Sequence, residues 1–145
     1  MAKFNYKFAS IQKIKETFEK KAQKELSVID LAINKKRAQI EELQHEAESH
    51  RNESRKKNIK ISEINFHQGY QKQIQLKIQV IEKDIEKLFE ERKLKLDELI
   101  LKSKEHKVFN KLEEKHREKF FSEQNKIEML DIDEIAVQKF NRKES

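Results

Sequence analysis

Ile78-Gln79-Val80-Ile81-Glu82-Lys83-Asp84-Ile85-Glu86-Lys87-Leu88-Phe89-Glu90-Glu91-Arg92-Lys93-Leu94-Lys95-Leu96-Asp97-Glu98-Leu99 is the stretch that decides the fold. Ile78, Ile81, Ile85, Leu88, Arg92, Leu96 and Leu99 return at steps of three and four, and mostly polar and charged residues fill the gaps. That is the spacing of one face of an α-helix. Towards the N-terminus the same seam continues back through Ile74, Tyr70 and Ile64. A second seam runs through Ile11, Ile14, Phe18, Ala22, Leu26, Ile29, Ile33, Lys36, Ile40, Leu43, Ala47 and His50. The chain of 145 residues has no proline and one glycine, Gly69, so neither run contains a strong breaker. A single helix cannot bury its own stripe, so long helices with sustained seams must pair.

Between the seams, residues 51–60 read Arg-Asn-Glu-Ser-Arg-Lys-Lys-Asn-Ile-Lys, with five cations and one acid. The seam is lost here, which marks a turn, with Asn58 as a left-handed cap and Ser62 as the next N-cap. The expected fold is therefore all-α: an antiparallel two-helix coiled coil, a long helical hairpin with a longer C-terminal helix. We expect residues 1–145 to form a single coiled-coil domain, with helix 1 at about 5–55, the turn at about 56–61 and helix 2 at about 62–140. Two runs of fours, Phe18-Ala22-Leu26 and Leu88-Arg92-Leu96, read as stutters that locally unwind the supercoil. They face each other if the turn lies near Lys57. Phe4 then faces a position near Asn110, and about 30 residues of helix 2, roughly 45 Å, run on without a partner.

Composition agrees with a hairpin. Charged residues make up 41% and hydrophobic ones 35%, too few apolar groups for an ordinary globular core. The net charge of +6 comes from 33 basic and 27 acidic residues, mostly interleaved. Pairs such as Glu16/Lys20, Glu91/Lys95, Glu98/Lys102 and Glu113/Arg117 stand at i,i+4 with the acid first. There is no cysteine, so disulfide and thiolate chemistry are excluded. The longest apolar cluster, Leu99-Ile100-Leu101, is far short of a membrane span of about 20 residues. The start, Met1-Ala2-Lys3-Phe4-Asn5-Tyr6, carries no signal-peptide core. The expectation is a cytoplasmic protein.

Catalytic signatures are missing. The histidines are His45, His50, His67, His106 and His116, and no two stand at the i,i+4 spacing of a helical zinc site. The carboxylates sit beside lysines on helix surfaces, and one glycine cannot build a phosphate loop. No enzyme activity, cofactor or metal is expected. The cations at Arg51, Arg55, Lys56, Lys57 and Lys60 invite phosphate, but only Phe66 and Tyr70 lie close enough to stack on bases, so nucleic acid is not expected. The aromatics gather at two places. Phe4, Tyr6, Phe8, Phe109, Phe120, Phe121 and Phe140 lie towards the open end, and Phe66 and Tyr70 near the turn. Such residues either anchor a partner or close the coiled coil internally.

The two ends of the chain carry a resemblance. Phe4-x-Tyr6-x-Phe8-x-x-Ile11-x-x-Ile14-Lys15, followed by Glu19, Ala22 and Glu25-Leu26, resembles the opening of the flagellar FliJ family. Ile132-Asp133-Glu134-Ile135-Ala136-x-x-Lys139 resembles its closing signature. The likeness covers the whole chain. It implies a part of the flagellar type III protein export apparatus, similar to the coiled coil of the rotary ATP synthase gamma subunit. Such a stalk binds the hexameric ring of the export ATPase and promotes its assembly. It also contacts the cytoplasmic domain of the membrane export gate protein, and it helps recycle export chaperones. The resemblance implies ring contact by Phe4, Phe8, Ile11, Asp133, Glu134 and Ala136, to which the projecting aromatics Phe120, Phe121 and Phe140 are added. It implies gate contact through Phe66, Tyr70 and Ile74 on helix 2, whereas helix 1 opposite them offers the polar Glu46, Ser49 and Glu53. The expected protein is a monomer when alone, held at the inner face of the cell membrane only through its partners. The alternative is a structural or adaptor coiled coil, self-associating or sheathing partner helices, with no ATPase partner.

Overall fold

The computed structural model describes residues 2–55 and 60–144. It is a helical hairpin of two antiparallel helices, α1 at Ala9–Arg55 and α2 at Ile61–Glu144, with no strand among the described residues. The expected turn residues 56–59, including Asn58, lie outside the described residues. The chain divides into two units, one formed by Lys20–Ile100, the other by Met1–Glu19 with Leu101–Ser145.

In the Lys20–Ile100 unit the seam runs where the hydrophobic spacing puts it. Ala22, Ile33 and Ile74 are buried. Leu26, Ile29, Ile40, Leu43, Ala47, Ile78, Ile81, Ile85, Leu88, Leu96 and Leu99 are half-buried beside them. Polar residues in or beside the seam are met across it. Arg92 Nε donates to Asp30 at 2.6 Å, Lys95 Nζ reaches Glu25 at 2.9 Å, and Lys36 Nζ lies 3.6 Å from Asp84. The Gln71 amide donates to the Ala47 carbonyl at 2.8 Å. No buried side-chain nitrogen or oxygen is left without a partner among the described residues. Polar pairs at seam positions fix register at some cost in stability.

These pairs correct the expected register. Arg92 meets Asp30, not Ala22, and the Lys36–Asp84 and Lys95–Glu25 pairs centre this unit near residue 60, not residue 57. Nor is either run of fours a stutter. On α1 a row of covered residues at 12, 15, 19, 22, 26, 29, 33, 36, 40, 43, 47, 50 and 54 alternates strictly by three and four, with Glu16, Glu25, Asp30 and Ala32 half-buried beside it. On α2 they pass through Arg92, Lys95 and Leu99, so Lys95 supplies the step that Leu96 seemed to break. The apparent stutters came from following apolar side chains where the seam carries charged ones.

Two further expectations, on the N-cap and the ion-pair spacing, are corrected. Ser62 is not the N-cap, because the Lys60 carbonyl accepts from Glu63 and Ile64 at 3.0 and 3.1 Å and so begins the helix. Gly69 marks no close approach, since nothing lies within 4 Å of where a Cβ would be. Lys95 and Lys102 pair with Glu98 and Glu105 at i,i+3, while Glu113–Arg117 pairs at i,i+4 as expected, at 3.3 Å.

Candidate partner-binding surfaces

In the unit built from both chain ends, α1 starts at Ala9, later than the position near residue 5 that the seam suggested. Residues 2–6 have no helical or turn structure, and a turn at Lys7 and Phe8 leads into the helix. The Tyr6 carbonyl accepts from the Ala9 amide at 3.2 Å, and the Phe8 carbonyl from Gln12 at 2.9 Å. The lead-in forms a strap against α2. Phe8 lies 6.3 Å from Phe109 and 6.0 Å from His116, and Tyr6 lies 5.7 Å from His116. Phe4 stacks on Phe120 at 5.6 Å, with the Arg117 guanidinium 5.2 Å over its ring. The Tyr6 hydroxyl donates to the Phe109 carbonyl at 2.8 Å. Burial raises the Tyr6 hydroxyl above its usual range, and the charge of Glu113 adds to that.

Phe4 therefore meets Phe120, not a residue near Asn110. Extended chain advances about 3.3 Å per residue against 1.5 Å in a helix, so a short strap reaches further along α2 than a helical turn would. Covered positions on α2 extend to Gln124, and the exposed stretch shrinks to residues 125–143, about 28 Å of helix. The alternation Phe4, Tyr6, Phe8 was the available signal, because its period of two is that of extended chain.

The seam of this unit is polar. Gln12 donates to Asn110 and to Glu113, both at 2.7 Å. Lys15 Nζ reaches Glu105 at 3.0 Å, and Glu19 meets His106 at 2.5 Å. The hydrogen bond from Lys15 lowers the Glu105 carboxyl below its usual range, with help from the charges of Lys102 and Lys15 against the opposing effect of burial. Ile11, Ile14 and Phe18, expected inside, are 42%, 51% and 44% exposed. Their spacing of three and four is the same as that of Gln12, Lys15 and Glu19, one residue on, and the polar row is the one that finds partners.

Beyond the strap, Ile127, Met129, Leu130, Ile132, Ile135, Val137 and Phe140 are all more than half exposed. Asp133, Glu134 and Ala136 are exposed among them, and Phe121 rests its ring edge on Phe120 while 52% exposed. A continuous helix with exposed apolar groups on all sides is a surface that wants covering.

The third surface lies in the Lys20–Ile100 unit. Phe66 is 67% exposed, whereas Ile74 is only 3% exposed. Ile74 is therefore a seam residue and leaves almost no surface for a partner. Tyr70 packs its ring 4.2 Å from His50 and donates its hydroxyl to Glu46. That bond, more than burial or the Glu46 charge, raises the Tyr70 hydroxyl above its usual range. The polar Glu46 of α1 is thus committed to holding the tyrosine in place. His67 Nδ1 lies 3.1 Å from His50 Nε2, against the same patch.

Among the described residues no three histidines, cysteines or carboxylates cluster to hold a metal, and no helix is long and apolar enough to cross a membrane. A family model described as "Flagellar FliJ protein" matches residues 4–145.

The match begins at the first aromatic of the strap and spans both helices and the projecting end of α2. The chain belongs to the flagellar FliJ family. It is thereby a component of flagellar type III protein export. No curated protein and no solved structure matches it. The FliJ match covers the strap and the hairpin alike, so the aromatic end belongs to the family region and is not an appendage to it.

Proposed function

We propose that this FliJ-family chain acts as a non-catalytic stalk that binds the export ATPase ring through its open end and links that ring to the membrane export gate. The observation that carries the reading is the projecting end of α2, residues 125–143, with seven large apolar side chains each more than half exposed. The outward Ile11 joins this surface, as do Phe121, Phe140, Ala136, Asp133 and Glu134. Phe4, Phe8 and Phe120 hold the strap in place, so they shape the contact more than they supply it. Phe66 and Tyr70 form the gate contact, with the buried Ile74 further along the same helix. Export chaperones dock on the same protein, which carries no catalytic group and reaches the inner face of the cell membrane through its partners.

The test is the hydrolysis rate of the purified export ATPase with the full chain and with a chain ending at Ser122. The shorter chain keeps Phe120 and therefore the strap. Stimulation by the full chain that is lost on truncation, with the truncated hairpin still helical by circular dichroism, supports the reading. No effect of the full chain on a ring-competent ATPase overturns it and leaves a scaffold or adaptor coiled coil.

A further inference from the structure

In the Lys20–Ile100 unit the outer face of α2 carries apolar side chains that its own hairpin leaves uncovered. Leu94 is 71% exposed, Val80 60% and Leu76 53%. Val80 and Leu94 are two heptads apart in the sequence, so they share one side of a paired helix. Leu76 and Val80 line an open groove of about 390 Å³ with Leu43, Lys77 and Ile81. Gln75, Gln79 and Glu82 line a different cleft with Gln44 and Arg51, so they belong to another side of α2.

The charges of this face are sorted along it. Lys77 and Lys83 stand three residues either side of Val80, and Lys87 lies midway to Leu94. Glu90, Glu91, Asp97 and Glu98 stand three or four residues either side of Leu94, and all of these charged groups are exposed. Asp84, the acid of the basic half, is held by Lys36 at 3.6 Å, and Glu98 meets Lys95 at 3.3 Å. Lys77, Lys83, Lys87, Glu90, Glu91 and Asp97 have no partner among the described residues.

A face that is basic along one half and acidic along the other is complementary to itself when reversed. Laid parallel, two such faces would set like charges together; laid antiparallel, they set opposite charges together. A two-fold contact does this by symmetry, because residue i meets j while j meets i. With the axis near residue 87, Leu94 of each copy falls on the groove at Leu76 and Val80 of the other. Lys83 then falls opposite Glu90, and Lys77 opposite Glu98. The two Lys87 side chains meet at the axis, with Glu90 and Glu91 of both copies within a turn of them.

We propose that two copies of this chain pair antiparallel through the outer faces of their α2 helices, each Leu94 entering the Leu43–Leu76–Val80 groove of the other. So narrow a contact belongs to the weak, reversible class. The monomer expected from the family resemblance is then the dilute form. None of these residues is named for the ring or the gate, so the pairing is independent of the stalk reading.

The experiment is sedimentation equilibrium of the full chain from micromolar to millimolar concentration. A reversible monomer–dimer step is expected, and it should weaken as added salt shortens the Debye length. Leu94→Ser should weaken it by roughly 30-fold, at half burial for each of the two leucines in a dimer. Lys83→Glu should weaken it too, and Lys83→Glu/Glu90→Lys should recover most of the loss, because the swap restores both opposite-charge contacts. These side chains are exposed, so the melting curve of the dilute chain should not move. A chain that stays monomeric at every concentration would overturn the proposal. So would a dimer indifferent to Leu94→Ser, or a charge swap that recovers nothing. Dimerisation abolished by Ile132→Ser/Ile135→Ser and untouched by Leu94→Ser would also overturn it, by moving the self-contact to the projecting end of α2. The assay contains no ATPase, so this proposal and the stalk reading can fail separately.

Discussion

Removing the Phe4 ring should release the strap without melting the hairpin. In Phe4→Ala three contributions go. The stacking on Phe120 is worth about 0.5–1.5 kcal/mol beyond area. The Arg117 guanidinium over the ring adds about 0.5–1 kcal/mol at an exposed site. Half-burial of the ring adds about 1 kcal/mol, half of what full burial gives. These overlap, because one ring makes all three contacts, and we take about 1–2 kcal/mol for the sum. At tenfold per 1.4 kcal/mol, the open strap should become roughly 5- to 30-fold more populated. Tryptic cleavage after Lys3 and Lys7 reads this directly, since both lysines lie in the strap and their cleavage tracks the open population when closing is fast. The global melting temperature should barely move, because the hydrogen bond from Tyr6 and the seam pairs of Gln12 and Lys15 remain. Cleavage rates equal to those of the unmodified chain would refute the reasoning. So would a fall in global stability as large as that of a seam variant, because the strap would then be part of the cooperative hairpin.

Ile74→Ala is that seam variant. It empties one of the three buried positions among the described residues and should cost about 2 kcal/mol, the low end of the core range, because a two-helix seam relaxes towards solvent; urea unfolding measures it. Gly69→Ala should stabilise by about 0.5–1 kcal/mol, since the residue is helical, its φ is not positive and the added methyl meets open space. The Glu25 carboxyl is lowered by the hydrogen bond and charge of Lys95, and Glu105 by Lys15. Both carboxyls therefore contribute stability that is present above the ordinary carboxylate pKa and lost as pH falls through their lower folded values. Glu25→Gln/Glu105→Gln should melt earlier than the parent at pH 7 and converge with it in strong acid, in thermal melts across that range. Parallel curves at every pH would sink the assignment.

The hairpin was legible because hydrophobic spacing and the absence of breakers leave few other folds. Register was less so. Spacing rules treat a seam as apolar, and here Lys15, Glu19, Lys36, Arg92 and Lys95 occupy it. A row at 11, 14 and 18 and a row at 12, 15 and 19 have the same period, and only the partners on α2 choose between them. Asn110, Glu105 and His106 chose the polar row, and nothing local to α1 announces that choice. The strap was legible in part, from the alternation of Phe4, Tyr6 and Phe8, but how far it reaches depends on chain extension that helical counting misses. At the patch near the turn, exposure separated what composition had grouped. Phe66 is outside and Ile74 inside, although both are apolar and eight positions apart on one helix.

The polar seam near the chain ends also bears on the proposed stalk. A coiled coil stabilised mainly by burial would turn Ile11, Ile14 and Phe18 inward. This one spends those residues on the outside and holds register with Gln12, Lys15 and Glu19, whose pairs are half-exposed and contribute little each. Stability is thereby exchanged for an apolar face that stays available while the helices remain aligned. The same unit leaves the apolar residues of 125–143 uncovered, so α1 and α2 both present hydrophobic surface there. A partner that covers both would gain burial that the free chain forgoes, and it would do so without unpairing the hairpin. That is what a stalk entering a ring requires: a fold that is complete before binding, with its unspent hydrophobic area at the end that enters.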